Sequence, residues 1–281
     1  NILEPPAVFA AAGWTPLDVF QDAFGRPSLG NASLLDYLPT GAGTWYVDID
    51  RLDNSGDGLS WGAAEKGINY AIQDANASAD GGTIWVADGV YYYNHGSATL
   101  DPTKNIAIRA LNPGNVVFSS HRQYTFALDG VHTNTYKVTH GIGSAAHYMV
   151  CDALYLDAYG DYQQLTQRAS AADVNSNAGS WYDDGTVLWV RLSDDRAPDG
   201  DLRPFWSGSG SSVVQFDAGS PTVFFEGIRF EGGANIVTIQ AVDASTTPTV
   251  YFYNCAFKYG SSNGLNNVGA DTYAQYCLAA R

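Results

Sequence analysis

Three cysteines in 281 residues are too few for a disulfide framework. Charge is scarce as well: charged residues make up 15% of the chain, low for a helical cytosolic enzyme, and lysine content is low. The charge that is present has one dominant sign, and a formal net charge of −15 argues against a nucleic-acid backbone as partner. It leaves open an uncharged or anionic glycan, because local fields can oppose the net charge. No apolar run approaches the roughly 18 residues needed to span a bilayer, so no membrane insertion is expected. No secretory leader is visible. The chain begins at Asn1 without a methionine and stops on "CLAAR" with no closing element, so both ends read as incomplete. A Ser/His/Asp constellation, a phosphate loop and a paired CxxC are also missing.

Glycine and aromatics are abundant. Thirty glycines with many Tyr, Val and Thr point to strands and turns. At 45% hydrophobic and 13% aromatic, the chain can bury a sizeable core as one large all-β domain or two smaller ones. Residues 223–233, "VFFEGIRFEGG", are echoed 27 residues later by "VYFYNCAFKYG" at 250–260. Val223/Val250, Phe225/Phe252, Ile228/Cys255, Phe230/Phe257 and Gly233/Gly260 correspond. Period-two alternation marks strands, and recurrence at this spacing marks a repeat architecture. Ile84, Ile106 and Leu128 are each 22 apart, Val86 and Ile108 keep that step, and so do Cys255 and Cys277. At roughly 3.3 Å per residue, 22 residues make one coil of two or three short strands with turns. Such coils cannot bury an inner face alone, so they stack in parallel as a solenoid. Cys255 and Cys277 then form an inward thiol stack that belongs to the core rather than to redox chemistry.

Residues 1–43 form a Pro/Gly/Ala-rich lead without a dominant period, an arm or adaptor. "TWYVDID" reads as a short strand and "RLDNSGDG" as a turn. Ala63, Ala64, Gly67, Ile68, Ala71, Ile72 and Ala75 recur at three and four and predict an amphipathic helix over 61–77. "GGTIWVADGVYYY" reads as a strand opened by glycines. From about 132 to 206 the period fails, and alternating strands with turn clusters predict an inserted β block; within it "WYDDGTVLWVRL" reads as a hairpin. The expected division is an arm at 1–43, the first coils at 44–131, the insertion at 132–206, and the continuing coils at 207–281.

The order of a Gly/Asp-rich turn, a short helix, "GGTIWVADGVY", 22-residue coils and "NCAFKYGSSNG" resembles the pectin-lyase-like right-handed parallel β-helix superfamily. "YVDIDRLDNSGDGLSWGAAEKGINYAIQDA" followed by "GGTIWVADGVYYY" looks like that superfamily's opening, and "GSWYDDGTVLWVRLSDDRAPD" like a small β insertion of some members. The resemblance covers most of 44–281. It implies an all-β fold: a right-handed parallel β-helix solenoid with an N-terminal capping helix and an inserted antiparallel β subdomain. It also implies a carbohydrate partner, since members include polysaccharide lyases, glycosidases, and phage tailspikes and fibres. No lyase catalytic set is recognisable.

Asp53, Ser55, Asp57 and Gly58 of "DNSGDG" sit at positions 1, 3, 5 and 6 of a calcium loop. Position 12 is Ala64 and Glu65 comes one place late, so a plain Asx-type turn is the competing reading. No other cofactor is suggested. Glu226, Arg229 and Glu231, then Tyr251, Tyr253 and Lys258, point outward on the repeated coils. Glu231 and Lys258 share a repeat position and are expected on neighbouring strands, either as a cross-strand ion pair or as part of a sugar-binding patch. Arg229, Glu231, Lys258 and Tyr259 are the candidate glycan-binding residues, on the coil face rather than on the insertion. Of the five histidines (His95, His121, His132, His140, His147), none shows metal-ligand spacing and at least four are expected on the surface or in turns. The expected function is recognition of a surface glycan by a tailspike- or fibre-like virion appendage, with or without depolymerase activity. It would be a homotrimer attached through 1–43, whose Phe9, Trp14, Phe20 and Phe24 lack a partner of their own. The alternative is a secreted polysaccharide lyase or glycoside hydrolase.

Overall fold

The alternation legible in the sequence becomes stacked parallel strands in the computed structural model. It describes residues 33–92, 100–141, 147–158, 160–206, 216, 219–241 and 247–280, and the backbone of short strands at 2–3, 19–21 and 27–29. The side chains of Phe9, Trp14, Phe20 and Phe24, on which the trimer expectation rests, and His95 lie outside the described residues. The chain divides into two units, Asn1–Leu38 and Pro39–Arg281. In the first, Ile2–Leu3, Val19–Gln21 and Pro27–Leu29 pair antiparallel, and a 3-10 turn at Leu34–Tyr37 is opened by Ser33, whose hydroxyl accepts from the Leu35 N–H.

The second unit is mostly β, with few helices, and its repeats form parallel sheets. A six-stranded sheet runs Asp271–Gln275, Thr249–Tyr253, Thr222–Glu226, Ile106–Ala110, Gly82–Val86, Gly43–Val47. A five-stranded sheet runs Leu278–Ala280, Ala256–Lys258, Ile228–Glu231, Val116–Ser119, Gly89–Tyr92, and Asn235–Gln240 pairs with Asn263–Val268. Each passage of the chain contributes in turn to these sheets, and like positions superimpose: Val223 on Val250, Phe225 on Phe252, Phe230 on Phe257. The arrangement is compatible with a β-helix. The expected continuous strand over 81–93 is two strands, Gly82–Val86 and Gly89–Tyr92, one in each large sheet, because the chain turns a corner at Ala87–Asp88.

Inward side chains stack into ladders. Phe225 lies on Phe252 (5.3 Å between centroids) and Phe230 on Phe257 (5.5 Å), with Phe118 edge-on to Phe230 (5.5 Å). Each such pair contributes about 0.5–1.5 kcal/mol beyond the area it buries. Cys255 and Cys277 are free thiols of this interior; their sulfurs lie 3.5 and 3.4 Å from the carbonyls of Phe225 and Phe252 on the preceding passage. The corner between the two large sheets recurs in left-handed conformation at Gly227, Asn254 and Tyr276 (φ 70°, 52° and 55°). At Gly227 an added Cβ would lie 2.9 Å from Cβ of Pro113.

The predicted helix is divided. Trp61–Ala63 is a 3-10 turn and Ile68–Ala77 an α-helix that buries Ile68, Ala71, Ile72 and Ala75. Between them Glu65 bridges Val47 in parallel, so the backbone is extended where the periodicity alone predicted helix. The 22-residue register also shifts. Ile84 pairs with Ile108 and Val86 with Ala110, while Ile106 faces Gly82; Leu128 is 58% exposed and pairs with Tyr136 outside the parallel stack.

After Ser119 the chain leaves the stack; Phe216, bridged in parallel to Ala241 and buried in the stack's core, is back in it before the strand Thr222–Glu226. The excursion holds a five-stranded sheet (Thr166–Gln167, Ser180–Asp183, Val187–Arg191, Tyr136–Thr139, Ala127–Leu128) and a three-stranded antiparallel one (Tyr162–Gln164, His147–Leu156, Leu202–Trp206). The hairpin is present, with Ser180–Asp183 antiparallel to Val187–Arg191. Val150, Leu165, Trp181, Leu188, Val190, Leu192 and Leu202 give the excursion a core of its own.

Candidate functional site

On the six-stranded sheet every second side chain points away from the core. One outward row reads Tyr46, Trp85, Arg109, Glu226, Tyr253, Gln275 across successive strands; the next reads Thr44, Thr83, Ala107, Phe224, Tyr251, Tyr273. Parallel strands lie about 4.8 Å apart, so each row extends about 24 Å. Trp45, Ile84, Ile108, Phe225 and Phe252, one residue along, are all in the core, which fixes the orientation of the rows.

The rows are organised by contact. The Trp61 ring packs on Tyr46 at 4.8 Å. The Arg109 guanidinium lies 4.5 Å over the Trp85 ring, and its Nε is 2.6 Å from Oε2 of Glu226. Tyr251 stacks on Phe224 (5.9 Å) and on Tyr273 (5.2 Å), and Tyr276 meets Tyr253 edge-on at 5.6 Å. Phe224 and Ala107 are buried; Tyr46, Trp85, Arg109, Glu226, Tyr251, Tyr253 and Tyr273 are half-buried. Half-exposed rings leave apolar surface at fixed spacing, mostly ring edges because Phe224, Tyr273 and Arg109 cover the faces of Tyr251 and Trp85, and the Arg–Glu pair offers donors and acceptors beside them. Of the carboxylates on these outward positions, Glu226 is already paired with Arg109. Asp271, level with Thr249 and Thr222, is four residues along and two strands over, about 16 Å away. Glycoside hydrolysis uses carboxyl pairs roughly 5–9.5 Å apart, closer than Glu226 and Asp271 lie.

The four predicted glycan residues do come together, on the other large sheet, but not on an open face. Glu231 is fully buried, and Lys258 and Tyr259 are 7% and 4% exposed. Glu231 and Lys258 are on neighbouring strands as expected, yet each takes another partner: Glu231 Oε1 is 2.6 Å from Nε of Arg229, and Lys258 Nζ is 2.6 Å from Asp161. The strands of the excursion lie over them. The Tyr162 ring stacks on Tyr259 (5.0 Å), Phe205 also stacks on Tyr259 (5.5 Å), and Arg229 sits over the Tyr162 ring and donates to its hydroxyl. Tyr259 Oη accepts from the Tyr162 N–H at 2.8 Å, and the Tyr148 hydroxyl donates to the Tyr259 carbonyl. Burial pushes the Glu231 carboxyl above its ordinary range despite the flanking Arg229, Arg203 and Lys258. The patch is the seat on which the excursion docks.

Asp53, Ser55 and Asp57 are exposed in the turn before the helix, where Asp53 and Asp57 each accept from the backbone N–H two residues ahead (both 3.0 Å). The histidine expectation is corrected: His121, His140 and His147 are 2%, 6% and 2% exposed. Burial forces the rings to find polar partners. Asp183 receives His140 Nε2 at 2.9 Å and His147 Nδ1 at 2.6 Å, while Nε2 of His147 lies 3.1 Å from the Tyr124 hydroxyl. Ligand atoms of His140, His147 and Asp183 all lie within 4.8 Å of one another. Their sequence spacing is no metal motif.

No protein-family model matches the chain, and no curated protein matches it. Among solved structures, it is similar to the pectin methylesterase PemA from Erwinia chrysanthemi, at 12% identity and a TM-score of 0.39, over 84% of this chain and 48% of that one. It is also similar to a glycoside hydrolase, at 11% identity and a TM-score of 0.43, over 78% of this chain and 74% of that one. The chain thus spans about half the length of PemA.

Proposed function

We propose that this protein is a right-handed parallel β-helix that binds a polysaccharide along the outer face of its six-stranded sheet. The observation that carries the reading is the pair of outward rows, in which Trp85, Tyr251, Tyr253 and Tyr273 present rings on neighbouring strands around the Arg109–Glu226 pair. Sugars pack their C–H groups against exposed aromatic surface and hydrogen-bond to polar groups beside it, and a regular sheet holds both kinds of group in place. Because Glu226 neutralises Arg109 and the chain carries a net charge of −15, the face favours a neutral glycan over a uronate polymer.

The test is calorimetry against neutral and acidic polysaccharides, with reducing ends followed in parallel. Binding to a neutral polysaccharide that changes little between low and high salt, and that is lost in Tyr251→Ala/Tyr273→Ala, supports the reading. Binding untouched by that double substitution removes the face from consideration. The finer reading, a tailspike- or fibre-like virion appendage trimerised and attached through residues 1–43, rests on the sequence of that lead. Light scattering on the intact protein checks it, and a monomeric mass counts against it.

A further inference from the structure

We propose that His140, His147 and Asp183 form a binding site for one zinc-like divalent transition metal within the inserted β block. The three ligands come from three places in the chain: just past the strand Tyr136–Thr139, the first residue of His147–Leu156, and the last residue of Ser180–Asp183. All three side chains are closed to solvent. Two imidazoles and a carboxylate are a donor set that suits zinc. With bonds of 2.0–2.2 Å, tetrahedral ligand atoms stand about 3.3 Å apart. Here the nitrogen–oxygen separations are 2.9 and 2.6 Å, so these pairs must open by roughly 0.4–0.7 Å to admit the ion, and no pair of ligand atoms exceeds 4.8 Å.

The surroundings hold the ligands in this orientation. Asp183 Oδ2 accepts from the His147 N–H (3.0 Å) and Oδ1 from the Gly185 N–H (2.8 Å), which fixes the carboxylate without using all its lone pairs. The Tyr124 hydroxyl fixes the far side of His147 at 3.1 Å, the kind of outer contact that orients metal-bound imidazoles. In the metal-free state both rings must direct an N–H at Asp183, so His147 Nε2 accepts from Tyr124. With an ion on Nδ1 the tautomer reverses and Nε2–H donates to the same hydroxyl, which can act in either sense. The proton that leaves each ligating nitrogen is balanced by one taken up at the other nitrogen of the same ring, so no net proton is released. The ion would tie together the ends of these three strands.

The experiment uses untagged protein stripped with a chelator, incubated with Zn2+, desalted, and assayed for metal and thermal stability. The expected result is one zinc per chain and a raised Tm. The paired variant His140→Gln/His147→Asn keeps amide donors near Nε2 and Nδ1 for Asp183 but supplies poor ligands. It should melt near the metal-free wild type, bind zinc at least about tenfold more weakly, and show no rise in Tm. Equal zinc retention by wild type and variant, or none by either, overturns the site. Should the variant not fold, Co2+ added to wild type decides: intense visible bands of a four-coordinate ion support the site, and the pale spectrum of the hydrated ion overturns it.

Discussion

Arg109 and Glu226 are separated by 117 residues in the chain and by 2.6 Å in space. The whole inserted block lies between them in sequence, and only the parallel pairing of Ile106–Ala110 with Thr222–Glu226 brings them together. Arg109 also covers Trp85, so the pair is the centre of the outward row. Arg109→Lys keeps the charge but loses the planar fork that both pairs with Glu226 and stacks on the indole. We expect a stability loss of about 1 kcal/mol or less, since both groups are partly solvated. Glycan affinity should fall several-fold, as it should for Trp85→Ala. Titration calorimetry beside thermal melts checks both; full affinity in Trp85→Ala would put the ligand elsewhere.

The corner residues set stability against function. Tyr276 has φ 55° and is 73% exposed. A side chain in the left-handed region costs roughly 1–2 kcal/mol, and glycine relieves most of that. Its ring meets Tyr253 edge-on at the end of the aromatic row. Tyr276→Gly should therefore raise Tm by about 1–3 °C while weakening glycan binding. A lowered Tm would mean that the ring's packing outweighs the backbone strain.

How much of this was legible depends on what alternation can encode. The 27-residue step was readable because Val223, Phe225 and Phe230 recur as Val250, Phe252 and Phe257. The earlier step is 24 residues, from Ile84 to Ile108, where the apolar pattern reads 22. Ile84/Val86 and Ile106/Ile108 share one apolar-x-apolar pattern, and a slip of two leaves every side chain on its own face. That slip hides the site, for it sets Trp85 beside Ala107 rather than Arg109. Outward Lys258 and Tyr259 were legible as outward, but their cover comes from Asp161, Tyr162 and Phe205, which no local pattern connects to them. The His140–His147–Asp183 meeting likewise exists only once three strand ends converge.

Glu65 makes the unit pH-sensitive. It is 4% exposed, and burial, reinforced by the charge of Asp74 and a hydrogen bond to it, pushes its carboxyl up to about 7 from an ordinary 4.5. The folded state thus holds the proton more tightly than the unfolded chain. Its contribution favours folding at low pH and is lost as pH rises from about 4.5 through 7, by at most about 3 kcal/mol. Glu65→Gln should match wild type near pH 5 and be the more stable of the two near pH 8, with a Tm difference of several degrees. Melts at both pH values check this, and a difference that does not grow with pH removes Glu65 as the cause.

The docked excursion gives the last prediction. Lys258 reaches Asp161 at 2.6 Å with its own side chain only 9% exposed and that of Asp161 29% exposed. Removing one partner of a fully buried pair costs about 3–5 kcal/mol, and solvent access to Asp161 reduces this, so Lys258→Met should cost about 1–2 kcal/mol. Asp161→Asn should cost a similar amount. The double variant should cost less than the sum of the two, because Lys258 and Asp161 lose the same bond. Glycan affinity should stay at the wild-type level in all three variants, since these residues lie on the five-stranded sheet and under the excursion, away from the Trp85–Arg109 row. A sugar-binding role for Lys258 predicts the reverse, lost affinity at constant Tm. Chemical unfolding and calorimetry on the same four proteins therefore decide whether this cluster is a joint or a binding surface.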